Sequence, residues 1–175
     1  MNFLTYATDP DHTQAELYWS VSGIDTTLVT VSNSTNHVFT FNSVANKFGT
    51  TTFFLFVSDG EYTVNVSITL TVESVNDLPT IINPDEIISN SNWTQEQNFG
   101  QFVLDLSTSG TDVETSQENL KWYVEGLVGF VNVTGNGTNI LTFESLTDVT
   151  GIRIFTLILM DEDDGTAELT ITMEI

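Results

Sequence analysis

The 175-residue chain sets 24 acidic side chains against only three basic ones, Lys47, Lys121 and Arg153, for a formal charge of −21. With 40% hydrophobic and 11% aromatic residues it can still build packed cores, which excludes a disordered acidic tail, and its charge sets it against nucleic acid and anionic lipid as partners. Divalent cations and a salt-adapted surface remain as readings of that charge. There is no cysteine, hence no disulfide scaffold or thiolate zinc site.

Residues 2–7 read as a short strand that runs into the polar loop Asp9-Pro10-Asp11 and on to Ala15. Leu17, Trp19 and Val21 then alternate with Tyr18 and Ser20 until Gly23, the period of a half-buried strand. Further strands are expected at 26–31, 37–41 and 51–57. The longest, 62–72, sets Tyr62, Val64, Val66, Ile68, Leu70 and Val72 toward a core, and Thr63, Asn65, Ser67, Thr69 and Thr71 toward water. No long stretch carries a 3.6-residue period, and β-branched residues and Phe alternate with Gly, Asn, Asp and Ser turns. The chain is read as all-β, long enough for two β-sandwiches.

An internal repeat supports that division. The run Leu17-Tyr18-Trp19-Ser20-Val21-Ser22-Gly23 recurs as Leu120-Lys121-Trp122-Tyr123-Val124-Glu125-Gly126. Asp9 and Asp11 fall on Asp112 and Glu114, and Phe53–Val57 leading to Asp59 falls on Phe155–Leu159 leading to Asp161. Two copies of one module are expected. Trp19 and Trp122 hold the same inward place in each copy and read as packing residues.

Between the copies lies Val75-Asn76-Asp77-Leu78-Pro79. Pro79 keeps the preceding residue extended and donates no ladder hydrogen bond, and Asn76 and Asp77 offer the hard oxygens that Ca²⁺ takes. The string resembles the VNDxP linker of cadherin-like tandem repeats in bacterial and archaeal surface proteins. That resemblance implies two tandem cadherin-like or immunoglobulin-like Greek-key sandwiches, over residues 1–77 and 78–175, at an extracellular or cell-surface location. It also implies an interdomain Ca²⁺ site built by Asn76, Asp77, Asp112, Glu114 and Asp161, with Asp9, Asp11 and Asp59 as the matching pole of the first copy. Cadherins supply further acids from the base of the preceding domain, whereas Asn46-Lys47-Phe48-Gly49-Thr50 brings a lysine and resembles the turn of the microbial repeats. The acids Glu162, Asp163 and Asp164 read as a solvated hairpin turn.

Five sequons, at Asn33, Asn65, Asn92, Asn132 and Asn136, are glycosylation candidates, Asn65 lying on the polar face of its strand. No apolar run approaches the ~18 residues of a membrane span, so no direct membrane insertion is expected. The first residues have neither the basic start nor the apolar core of a signal peptide, so an exported chain would carry its signal upstream. His12 and His37 have no counterpart in the repeat, and no nucleophile or phosphate-binding motif is present, so no enzyme is read. The expected function is a structural and adhesive surface segment stiffened by Ca²⁺, with neighbouring repeats or copies of itself as partners. The alternative is a carbohydrate-binding accessory module of a larger secreted enzyme, with surface glycans as partners and Trp93, read otherwise as packing, as the sugar platform. In the second copy Pro79–Val103 precede the strand leading to Asp112, while only Met1 precedes the matching Asn2. The first sandwich is therefore expected to lack its opening strand, which a longer array supplies or another chain donates in a filament.

Overall fold

Trp19 and Trp122 each sit on the first strand of a three-stranded sheet that is repeated in the two halves of the chain. The computed structural model describes residues 1–175 throughout, divided into two compact units, Met1–Val75 and Asn76–Ile175. Asn76 and Asp77 thus belong with the second unit, ahead of the boundary read at 77/78.

In the first unit β1 (Tyr18–Ser22), β4 (Gly49–Ser58) and β5 (Thr63–Val72) form one antiparallel sheet in the order β1-β4-β5. The hairpin β2 (Val29–Thr35) and β3 (Val38–Ser43) forms the other layer. The chain crosses between layers after β1 and returns after β3, the Greek-key path of a sandwich. Phe3, Trp19, Phe39 and Leu55 are buried between the layers, and Phe41 of β3 meets Phe53 of β4 at 5.4 Å between ring centres. Alternation produces this directly: Trp19 lies opposite Val57 and Val21 opposite Leu55, so one face of the sheet is apolar.

The second unit repeats the path with β9 (Lys121–Glu125), β12 (Ile152–Met160) and β13 (Thr166–Glu174) as one sheet and β10 (Val131–Thr134) and β11 (Ile140–Ser145) in the other. Gly23 and Gly126 close the repeated first strands with φ of 81° and 100°, a region that costs glycine nothing. The second unit also has elements that the first does not. β7 (Gln101–Asp105) extends the β10-β11 sheet along β11, and β6 (Thr80–Ile81) pairs with β8 (Gly110–Thr111). Between β6 and β7 lie the short helix α1 (Pro84–Ile88) and a 3-10 turn, Ser91–Trp93. Pro84 opens α1 with its φ preset, and Asp85 and Glu86 face the positive end of the helix dipole. Ile87 and Trp93 are the buried residues of these two pieces, and both join the core.

Several expectations change. Residues 2–7 are not a strand: Asn2 makes one antiparallel bridge to Val38, and Tyr6 N–H turns back to Phe3 O. The strand expected at 26–31 begins only at Val29, because the Asp25 carboxylate takes the Thr27 N–H and holds a turn there. On β5 only Ile68, Leu70 and Val72 are half-buried, while Tyr62, Val64 and Val66, expected in the core, stand 74%, 64% and 54% exposed. Val64 and Val66 lie opposite Val57 and Leu55 of β4, and Ala7, Thr8, Asp9 and Leu17 line an open pocket beside Tyr62 and Val64 without burying them. Trp93 is the packing residue it was read as, and the alternative of a sugar platform falls. It is buried, donates its indole N–H to Ile87 O at 2.6 Å, and meets Phe102, Phe143 and Phe155 edge-on.

Candidate cation site

Two loops and the start of the second unit are tied into one constellation. Asp112 Oδ1 accepts the backbone N–H groups of Glu114 (2.9 Å) and Thr115 (2.7 Å), an Asx turn written by its own side chain. Asp161, only 3% exposed, does the same for the β12–β13 turn, its Oδ1 accepting from Asp163 N (2.9 Å) and Gly165 N (2.7 Å). The two turns are joined where Glu162 N–H donates to Thr115 Oγ1 at 3.2 Å. The linker residues attach to both: Asn76 Nδ2 donates to Asp161 Oδ2 at 3.1 Å, and Asp77 N–H donates to Glu114 Oε2 at 3.0 Å. Gly165 leaves the room for this, since a Cβ there would stand 2.3 Å from Asp161 Oδ2.

All five residues expected to hold an interdomain ion are therefore linked, and all lie in the second unit. One side-chain oxygen in the group is buried without a partner. Asp112 Oδ2 is buried and accepts no hydrogen bond, and the only ion pair in the chain is His12 with Asp9, so no lysine or arginine compensates it. A buried anionic oxygen without a partner is costly, and a cation bound by hard oxygens is the group that removes the cost. The side-chain donors present are hard oxygens, the kind that Ca²⁺ takes. Glu162, Asp163 and Asp164 are exposed at the turn; Asn119 Nδ2 donates to Glu162 Oε1 at 3.1 Å.

The first unit repeats the design. Asp9 Oδ1 accepts from Asp11 N and His12 N, both at 2.9 Å, and Asp59 Oδ1 accepts from Glu61 N (2.8 Å) and Tyr62 N (2.6 Å). Asp9, Asp59 and His12 bring ligand atoms within 4.8 Å of one another, while Asp11 contributes its backbone to the turn and stands outside that group. His12 was missed because its counterpart is Thr115; its position directly after the Asp-x-Asp pair was the only available signal. The Asp11 N–H, and after it the His12 ring at 3.1 Å, hold the Asp9 carboxyl below the usual carboxylate range. The hydrogen bond that the His12 ring gives to Asp9 in turn raises His12. Asp59 is lowered by the Tyr62 and Glu61 N–H groups.

Among the sequons, Asn33, Asn65, Asn132 and Asn136 are exposed and Asn92 is half-buried in the 3-10 turn. Asn136 Oδ1 also accepts Val124 N–H at 3.0 Å, and Asn132 Nδ2 reaches Glu144 Oε2 at 3.4 Å.

No family model matches the chain, and no curated protein matches it by sequence. Solved structures do resemble it. An endo-fucoidan hydrolase of glycoside hydrolase family 107 is 18% identical over 90% of this chain, with a TM-score of 0.40; the chain spans 23% of that protein, and the likeness carries no inference. Human CDH23 EC21-23 is 16% identical, with 92% of this chain and 58% of that one covered and a TM-score of 0.57. Human protocadherin-24 EC1-2 is 17% identical, with 96% of this chain and 84% of that one covered and a TM-score of 0.55. The chain has the cadherin-like β-sandwich fold.

Proposed function

We propose that this chain is a structural and adhesive segment of an extracellular surface protein, made of tandem cadherin-like modules of the VNDxP-linker kind and stiffened by Ca²⁺. The observation that carries the reading is Asp112 Oδ2, a buried and unpartnered carboxylate oxygen in a loop tied through Thr115 and Glu162 to that of the buried Asp161, in a chain of charge −21. Asn76, Asp77, Asp112, Glu114 and Asp161 supply side-chain oxygens, and backbone carbonyls and water complete the six to eight that Ca²⁺ takes. The ion neutralises crowded carboxylates, and it holds Asn76 and Asp77, which directly follow the last residue of the first unit, against the 112–115 and 161–165 loops. A connection that would otherwise swing becomes a strut. Asp9 and Asp59, with Asp11 beside them, form the corresponding pole of the first unit, where His12 adds an imidazole.

The extracellular placement draws on the VNDLP linker, the exposed sequons and the cadherin-like fold; a related structure is that of protocadherin gamma B2 extracellular cadherin domains 3-6. Partners are neighbouring modules or further copies of the chain. Calorimetric titration with Ca²⁺, run beside small-angle scattering, tests the reading. Binding in the ~10⁻⁴–10⁻³ M range of extracellular modules, with a narrower distribution of particle dimensions, is expected. No heat of binding up to tens of millimolar would overturn it.

A further inference from the structure

The outer face of the β1-β4-β5 sheet differs from the rest of this acidic chain. Opposed residues of an antiparallel pair point to one side, so the even-numbered residues of β1 and β4 and the odd-numbered residues of β5 share that face. None of them is charged, although the chain carries 24 acids, whereas the matching face of the second unit holds Lys121, Glu125, Glu168 and Glu174. At the middle of the uncharged face Phe56 stands between Ser20 of β1 and Asn65 of β5. Phe54, 46% exposed, lies beside it with 6.2 Å between ring centres. Aromatic rings open to water among Ser and Thr hydroxyls need a cover that is apolar on its face and polar at its edge, and a pyranose ring has that character.

Asn65 indicates where such a ring comes from. It heads the sequon Asn65-Val66-Ser67, it is exposed, and it is free of the hydrogen bonds that engage Asn132 and Asn136. The second unit has Ile158 opposite Glu168 where the first has Phe56 opposite Asn65, so ring and sequon are absent together.

We propose that Asn65 carries an N-linked glycan whose first sugar lies over the Phe56 ring, with Phe54 beside it, and that carbohydrate covers the outer face of the first sheet. Asn65 Nδ2 attacks C1 of a sugar carried on a lipid diphosphate: the N–C1 bond forms, the C1–O bond breaks, the lipid diphosphate leaves, and the amide proton passes to a base. The reach is short, since directly opposed side chains on neighbouring strands have Cβ atoms about 4.5–5.5 Å apart. The modification rests on the reading of the chain as extracellular; the contact of sugar with ring rests only on the register of β4 and β5 and involves no Ca²⁺.

The test uses the full chain secreted by a eukaryotic host that attaches N-glycans and then held in chelator, so that its failure and that of the calcium reading are told apart. Glycopeptide mapping is expected to find Asn65 occupied in most molecules. With the glycan trimmed to one N-acetylglucosamine, the sugar protons should shift upfield in the NMR spectrum through the ring current of Phe56 and give cross-peaks to that ring, in the chain without substitution. Phe56→Thr, which places a strand-forming residue at a half-buried position, should return the sugar to its free shifts while Asn65 stays occupied. An unmodified Asn65, an occupied Asn65 whose sugar keeps its free shifts, or an upfield shift that survives in Phe56→Thr would each overturn the proposal. So would dimerisation of the glycosylated chain that Phe56→Thr abolishes, which would assign the face to a second copy.

Discussion

Asn76 donates its side-chain amide to Asp161 Oδ2 at 3.1 Å although 85 residues separate the two, so the first residue of the second unit is anchored to the turn between its last two strands. A linker residue normally has no such tie. Here the tie uses only the amide nitrogen and leaves the Asn76 oxygen free for a cation, which connects a structural contact to the proposed binding function.

Asp112→Asn keeps the shape and the Oδ1 acceptor while removing the buried charge. Calcium affinity should fall at least tenfold by calorimetry. In chelator the variant should unfold at equal or higher denaturant than the native protein, since the lost charge costs on the order of 1 kcal/mol or more without its ion. A variant that binds as the native chain does removes Asp112 from the site.

Gly165→Ala removes no ligand, yet its Cβ would stand 2.3 Å from Asp161 Oδ2 and 3.0 Å from Asn76 Nδ2. The carboxylate must shift. We expect weaker calcium binding and a stability loss of about 1–3 kcal/mol, typical of overpacking, read by urea melts with and without the ion.

Removing calcium should expose residues 75–85 to protease. Val75 and Leu78 are 80% and 68% exposed, and repulsion among the acids loosens the hydrogen bonds that hold Asn76 and Asp77. Limited digestion in chelator and in calcium decides the matter, and a stretch equally resistant in both would show that packing alone holds it.

His12 is raised by its hydrogen bond with Asp9, so the stabilisation it gives its loop is full below the ordinary histidine value of about 6.5 and is lost as pH climbs through the raised one. Asp9 is lowered, and its contribution holds above the ordinary carboxylate value and is lost only as pH falls through the lowered one. An NMR titration should place His12 above about 6.5 and show it moving down when a divalent cation is added. A midpoint at or below that value, insensitive to the ion, contradicts the pair.

Trp93→Ala should cost the second unit about 3–5 kcal/mol, because it empties a site packed by Phe102, Phe143 and Phe155. Differential scanning calorimetry with separate transitions for the two units would locate the loss. A loss confined to the first transition to melt, assigned to residues 1–75, would contradict it.

What was legible in the sequence was what repeats or alternates locally. Trp19 and Trp122, the paired acids at 9 and 112, and those at 59 and 161 are set by short-range period and by duplication, and the structure puts each pair in equivalent turns or strands. The alternation of 62–72 was equally clear, yet whether its apolar side is buried depends on a segment far away in sequence, which no local period encodes. Trp93 sits among Asn and Ser, a setting that left the sugar platform open beside the packing reading; in the structure Asn90, whose side chain accepts the Asn92 N–H, caps the 3-10 turn that carries it. The five-residue helix before it is too short to show a period. His12 was discarded because it did not repeat, although a site needs ligands and not symmetry.

The 3-10 turn that carries Trp93 also bears on the order in which the molecule is made. In the second unit Trp93 and Thr94, near its beginning, close against Phe155 and Glu174, so its core cannot be completed until the last strand has left the ribosome. The first unit is built largely from the hairpins β2-β3 and β4-β5, whose partners are near neighbours in sequence. Such local pairing forms fast, while long-range closure is slow. During synthesis the first unit is therefore folded while the second still waits for its last strand.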